Sequence, residues 1–377
     1  MKSDPVTAIA STIACNLDSD ILSAAIPLFE ESRVEAIEWA FDSLDFSEVP
    51  EWFSDLIDAY SKEGRLIGHG VFFSIFSGRW SIQQQEWLDN LKKLSARFKF
   101  DHITEHFGFM TGANFHYGAP LAVPFNSKTL TIGRDRLNRI YDACQCPVGL
   151  ENLAFSYSID EVKKHGEFLE TLVEPVNGFI ILDLHNLYCQ MHNFSISFDE
   201  IIKLYPVDRV REFHISGGSW ENSSLSGKRI RRDTHDDAVP DEVYQLLDSA
   251  LDHCKNVRYV TMEQLGSGLK TEESRSNFYN DFLKMQQIVR NKTSVPNDAE
   301  NTFFPPKIVP PGDIIEDENL YIEQQQLSYI LENSTSYDDA VSRIKSSVLA
   351  KSDWGIESWA PHMLETAISI AQKWKKK

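Results

Sequence analysis

Cysteine is sparse and unpaired in this chain. Cys15, Cys144, Cys146, Cys189 and Cys254 are odd in number, scattered and without a C-x-x-C pair, which argues against a disulfide framework and a thiolate zinc site. That usage points to a reducing, cytoplasmic setting. Long hydrophobic runs are also missing. The opening "MKSDPVTAIASTIACNLDSD" has one lysine, an early acid and a short mixed apolar stretch, so it reads as neither a secretory signal nor a membrane span. Basic charge is outweighed, 37 Lys and Arg against 56 Asp and Glu, for a net charge of −19. A field of that sign repels phosphate backbones and argues against nucleic acid as the main partner. No G-x-G-x-x-G follows the first apolar segment, so the main signature of an open dinucleotide-binding sheet is absent.

What is present is regular alternation. The 377 residues, 42% of them apolar, suffice for one barrel of about 250 residues and a smaller unit. Short β-branched runs predict eight strands, at "TAIASTIACN", "VEAIEWAF", "RLIGHGVFF", "DHITEHF", "PVGLENL", "GFIILDL", "RVREFHIS" and "VRYVTMEQ". Between them, "SIQQQEWLDNLKKLSARFKF", "IGRDRLNRIYDAC", "SIDEVKKHGEFLETLV" and "DEVYQLLDSALDHC" repeat apolar residues at three and four, the period of amphipathic helices. Ser158 ahead of Asp160 and Glu161, and Pro240 ahead of Asp241 and Glu242, mark helix starts. Eight alternations predict an α/β fold, a (β/α)8 TIM barrel over residues 1–290. Residues 291–313 carry five prolines and read as a linker or wrapping arm. Residues 314–377 form a helical C-terminal extension of two or three amphipathic helices.

The strand ends carry the chemistry. His69, His106, Glu151, Asp183, His214 and Glu263 close six consecutive predicted strands, and a parallel barrel brings those ends to one mouth. A lone histidine at a strand end is ordinarily a hydrogen-bonded rim residue; six ligand types in chain order at one end of a barrel are harder to explain that way. Asn186, and Asp233 with His235 in the charged stretch "RRDTHDDAVP", follow in adjoining loops. Imidazole and carboxylate without thiolate suit Fe, Zn or Mn. About nine ligands serve two or three ions, with a carboxylate such as Glu151 placed to bridge.

The segments "GHG", "EHF", "GLEN", "LDLHNLY", "FHISGG" and "DTHDDAVPDEVYQLL" together resemble the multinuclear non-haem iron-dependent oxidases of the DUF692 family, over about residues 6–290. The resemblance implies a TIM barrel with two or three iron ions and O2 as co-substrate. Its substrate would be cysteine residues of a ribosomally synthesised precursor peptide, usually beside a separate peptide-recognition protein. It carries over His69, His106, Glu151, Asp183, Asn186, His214, Asp233, His235 and Glu263 as iron ligands, with Glu38 as support. His185 and Asp236 are the candidate catalytic side chains, His185 as ligand, proton donor or support and Asp236 as support or cap. Two positions depart from the family pattern: Gly218 replaces the second histidine of H-x-x-G-H, and His185 stands within the D-x-N-N segment. The ligand order is also similar to that of xylose isomerase-like barrels including endonuclease IV, which leaves a divalent-metal hydrolase or isomerase as the alternative. The aromatic loop 107–125 reads as a lid or a wrapping loop. Lys228, Arg229, Arg231 and Arg232 read as an attractor for an acidic leader peptide or as a solvated basic loop.

Overall fold

Eight apolar segments form parallel strands: β1 (Ala10–Ala14), β2 (Ala36–Trp39), β3 (Leu66–Gly70), β4 (Ile103–His106), β5 (Val148–Glu151), β6 (Phe179–Asp183), β7 (Val210–Ile215) and β8 (Tyr259–Met262). They close in chain order into one barrel, β8 returning to β1 with Ala10 opposite Tyr259 and Ile13 opposite Met262. Nearly every strand residue is buried, as expected where helices cover the outside and side chains fill the inside. This computed structural model describes all residues except 1–8, 44–48, 112–119, 293–301, 306, 308–309 and 376–377.

The outer helices are α1 (Ser19–Glu30), α2 (Glu51–Lys62), α3 (Ile82–Arg97), α4 (Ser127–Cys144), α5 (Ile159–Val173), α6 (Leu184–Phe194), α7 (Asp241–His253) and α8 (Glu272–Lys292). Side-chain caps set several starts. Ser81 and Gln84 form a capping box on α3, and Ser158 accepts from Glu161 N–H on α5. Helix α4 begins five residues before "IGRDRLNRIYDAC" because Asn126 caps the Lys128 and Thr129 amides; that polar first turn carries little apolar periodicity, although its cap is strong.

Strand parity divides the barrel interior into layers. At the N-terminal end Ala10, Ala36, Ile67 and Tyr259 form an apolar cluster, and Phe179 and Ile181 pack with Phe303. Above them the interior turns polar: His102 bonds Glu212 at 2.8 Å, and Thr261 donates to Glu212 at 2.6 Å. The mouth lies above that layer.

Where described, the proline-rich segment wraps the barrel. Asn177 donates to the carbonyls of Thr302 and Phe304 at the N-terminal face. Arg139 and Arg136 of α4 then donate to the carbonyls of Gly312 and Ile315. Asp317 N–H reaches Gly78 O at 2.8 Å, in the loop after β3. Helices α9 (Glu318–Asn333), α10 (Tyr337–Lys345) and α11 (Pro361–Trp374) follow on the rim of the C-terminal face. There Trp359 stacks on Tyr157 at 3.9 Å, Trp354 meets Phe109 edge-on at 5.8 Å, and Glu365 accepts from Ser223 at 2.6 Å. At Gly78 a Cβ would lie 2.5 Å from Tyr321 N, so only glycine permits this approach of α9 to the loop.

Candidate metal centre

Glu151, at the end of β5, is the meeting point of the mouth. Its Oε2 lies 3.3 Å from His69 Nε2 and 3.2 Å from His106 Nε2; its Oε1 lies 3.8 Å from His214 Nδ1. Neighbouring groups orient the imidazoles. Thr104 donates to Gly68 O and so accepts from His69 Nδ1 at 2.8 Å, which leaves the His69 Nε2 lone pair facing the cluster. His214 Nε2 faces Glu38 at 3.1 Å and Glu212 at 3.5 Å, leaving Nδ1 toward Glu263 Oε2 at 3.3 Å. A carboxylate behind a ligand imidazole is the usual way of fixing its tautomer.

Strand β6, helix α6 and the loop after β7 deliver the remainder. Asp183 ends β6 and caps α6 with Oδ1, which accepts from Asn186 N–H at 2.5 Å. Asn186 Nδ2 donates to Glu151 Oε1 at 3.2 Å and to Asn152 O at 2.9 Å. His235 Nε2 lies 2.8 Å from Asp233 Oδ1, and its Nδ1 lies 3.8 Å from Glu263 Oε2. The His235 backbone has φ 51°, a left-handed conformation that costs a non-glycine residue of order 1 kcal/mol. That turn brings its ring back toward Asp233.

This geometry fits cations. Glu151 Oε2, Asp183 Oδ2, Asn186 Oδ1, His214 Nδ1 and His235 Nε2 are buried without a well-formed hydrogen bond, a costly state for polar atoms. Two ligand atoms about 2.1 Å from one ion and at right angles lie about 3 Å apart, matching the 2.8–3.3 Å separations above. Two groupings whose ligand atoms lie within 4.8 Å of one another, His69–His106–Glu151 and Glu151–Asp183–His214–Glu263, share Glu151. Charge agrees with shape. Burial, then the neighbouring charges of Glu151 and Asp233, push the Asp183 carboxyl well above its ordinary range. Burial opposes ionisation of Glu263 too, but His214, then His235 and His69, hold it well below that range. The carboxylates there repel one another enough to disfavour the Asp183 anion, and a divalent cation relieves that repulsion.

All nine candidate ligands thus converge at the mouth. Asp236 does not: it is exposed and accepts from Thr234 Oγ1 at 2.5 Å. Glu38 is buried behind His214, as supporting groups are. Four positioning groups escaped the sequence reading: His102, Thr104, Asn152 and Glu212. Their signal was parity, since His102 and Thr104 precede His106 by four and two residues, and Glu212 precedes His214 by two. Asn152 clamps Asp183, accepting from its N–H at 2.6 Å and donating to its carbonyl at 3.2 Å.

The basic stretch is only partly solvated: Arg229 is exposed, and the other three cations are engaged within the protein. Arg231 is buried and donates to His185, Arg232 pairs with Glu221, Lys228 bonds the Asn193 carbonyl, and Arg229 lies over Trp220 at 4.2 Å. The two departures from the family pattern meet in space: a Cβ on Gly218 would lie 2.8 Å from His185 Cε1. The stems of loop 107–125 form a short antiparallel pair, Phe109–Met110 with Pro120–Leu121, and Phe125 stacks on Phe168 at 4.5 Å. Its centre, including His116, lies outside the described residues.

A closed (β/α)8 barrel with clustered imidazoles and carboxylates at the C-terminal mouth defines a metal-dependent enzyme of the TIM-barrel class. The model of the family described as "RiPP precursor modification enzyme MbnB/TglH/ChrH" matches residues 35–265. The chain belongs to that family, whose members modify ribosomally synthesised precursor peptides. It is similar to the UPF0276 protein of Caulobacter vibrioides, 26% identical over 197 residues that cover 52% of this chain and 67% of the relative. The UPF0276 protein of Shewanella oneidensis is 26% identical over 215 residues, 55% of this chain and 74% of that one. Among solved structures, a xylose isomerase domain protein from Planctomyces limnophilus superposes with a TM-score of 0.51 at 14% identity, covering 77% of this chain and 99% of that one. That last likeness is one of fold.

Proposed function

We propose that His69, His106, Glu151, Asp183, Asn186, His214, Asp233, His235 and Glu263 hold two or three iron ions, and that this enzyme oxidises cysteine residues of its precursor peptide with O2. A separate peptide-recognition protein presents the peptide, and the reaction takes place in the cytoplasm, in keeping with five free cysteines. Among the described residues no helix is long and apolar enough to cross a membrane. The observation that carries the reading is the shared Glu151 carboxylate, flanked by His69 and His106 on one oxygen and His214 on the other.

Bound iron would supply Lewis acidity toward a substrate thiolate and one-electron reactivity toward O2. The protein supplies orientation. Thr104 and Glu38 fix the imidazoles of His69 and His214, and Asn152 fixes Asp183. The apolar layer of Ala10, Ala36, Ile67 and Tyr259 closes the barrel below, so the peptide enters from the C-terminal mouth. The decisive experiment is anaerobic purification, elemental analysis and an O2 electrode. Two to three irons per chain are expected, with O2 consumed only when a cysteine-bearing precursor peptide is added. Stoichiometric zinc with full activity and no O2 dependence would overturn the reading.

A further inference from the structure

Asp233 reaches the cluster from a loop rather than a strand, and its side chain remains 26% exposed. Something must hold its carboxylate in place. His185, buried in the first turn of α6, lies with Nδ1 3.0 Å from Asp233 Oδ1. Its other nitrogen, Nε2, accepts from Arg231 Nε at 3.0 Å. A guanidinium only donates, so the imidazole proton resides on Nδ1, aimed at Asp233. Both ring nitrogens are engaged, and neither lone pair is left for a metal.

Arg231 is anchored in turn. It is buried, its guanidinium lies over the rings of Trp220 at 5.0 Å and Tyr188 at 5.6 Å, and Asn193 holds its backbone N–H and carbonyl at 2.9 and 3.0 Å. Position 218 makes room for the ring. A Cβ there would meet Arg232 O at 2.2 Å, His185 Cε1 at 2.8 Å and Thr234 N at 3.0 Å. Any side chain at 218 would strike both the ring and the backbone on either side of Asp233.

We propose that Arg231, His185 and Gly218 form a positioning device that aims the Asp233 carboxylate into the metal centre, with His185 as a positioning residue and not a ligand. Histidine at 185 and glycine at 218 are therefore one coupled choice: the imidazole fills the space that the missing side chain leaves. The proposal rests on the metal reading of the centre, and groups behind metal ligands commonly change affinity about 10–100-fold.

The test is a Co2+ titration of the metal-free full-length protein, followed by absorbance and calorimetry, for wild type, His185→Leu, His185→Gln and Glu151→Gln. Leucine keeps the approximate volume and removes both hydrogen bonds, whereas glutamine retains one donor and one acceptor. His185→Leu should weaken one ion about 10–100-fold while the others titrate as in wild type, and His185→Gln should recover most of that loss. A merely structural role would lower the melting temperature without selecting one ion. A wild-type isotherm for His185→Leu, equal weakening of every ion, or a glutamine variant as weak as leucine would each overturn the proposal. If wild type binds no Co2+, the metal reading falls with it; if wild type binds and Glu151→Gln does not, a silent His185→Leu removes only the positioning role.

Discussion

Replacing Glu151 by glutamine separates metal binding from folding. In the metal-free protein the substituted carboxamide can still accept from Asn186 Nδ2, as Glu151 Oε1 does at 3.2 Å. Its amide nitrogen would occupy the place of Oε2, 3.3 and 3.2 Å from the Nε2 atoms of His69 and His106, where a lone pair can receive it. With hydrogen bonds worth about 1 kcal/mol each, the metal-free variant should match wild type within about 1 kcal/mol. Loading is different, because each of two ions loses an anionic oxygen. A hundredfold loss of affinity is about 2.7 kcal/mol per ion. At a hundredfold excess over Kd, each ion stabilises wild type by about 2.7 kcal/mol. Two ions therefore raise the melting point by roughly 7 °C, taking about 1.3 °C per kcal/mol for a chain of 377 residues. Elemental analysis and thermal unfolding with and without chelator check both numbers. A Glu151→Gln protein with a full metal complement and the wild-type melting shift refutes the shared-carboxylate assignment.

His165 tests pH dependence away from the centre. It is buried, its Nε2 accepts from Leu153 N–H at 3.1 Å, and burial pushes its pKa from 6.5 down to about 3. Below pH 6.5 the unfolded chain therefore binds a proton that the native ring refuses, so stability falls on acidification by about 1.4 kcal/mol per pH unit until about pH 3. His165→Gln keeps an acceptor and should remove that slope; urea unfolding of the metal-free proteins at pH 6.5 and 5 measures it, and parallel stability curves count against the assignment. Trp359→Ala deletes a buried side chain that stacks on Tyr157 and donates to Trp354 O at 2.9 Å. The expected cost is about 3–5 kcal/mol, read as faster proteolysis of α9 to α11 with metal stoichiometry unchanged; unaltered cleavage would show that the stack does not hold the extension.

Eight strands and their order were readable because parallel barrel strands are continuous apolar runs between helical repeats, and each such run in this chain became a strand. The nine ligand candidates were readable for a related reason. Seven of them lie at strand ends or within three residues of one, and a closed parallel barrel gathers all such ends at one mouth whatever the helices between them contain; Asp233 and His235 come from the long loop after β7. Other features required the folded chain. Whether His102 and Glu212 support the centre depends on strand parity combined with neighbours 110 residues apart. The pairing of His185 with Gly218 is a matter of ångströms between the first turn of α6 and the loop after β7, and the role of Arg231 depends on the antiparallel pairing of residues 220–222 with 229–231. The basic stretch looked like a surface charge run in sequence, yet its partners are Glu221, His185 and Asn193. Local pattern determines which residues can form strands, caps and ligands, since those preferences act within a few residues. Which ring orients which carboxylate is decided by packing between distant segments, and that exists only in the closed barrel.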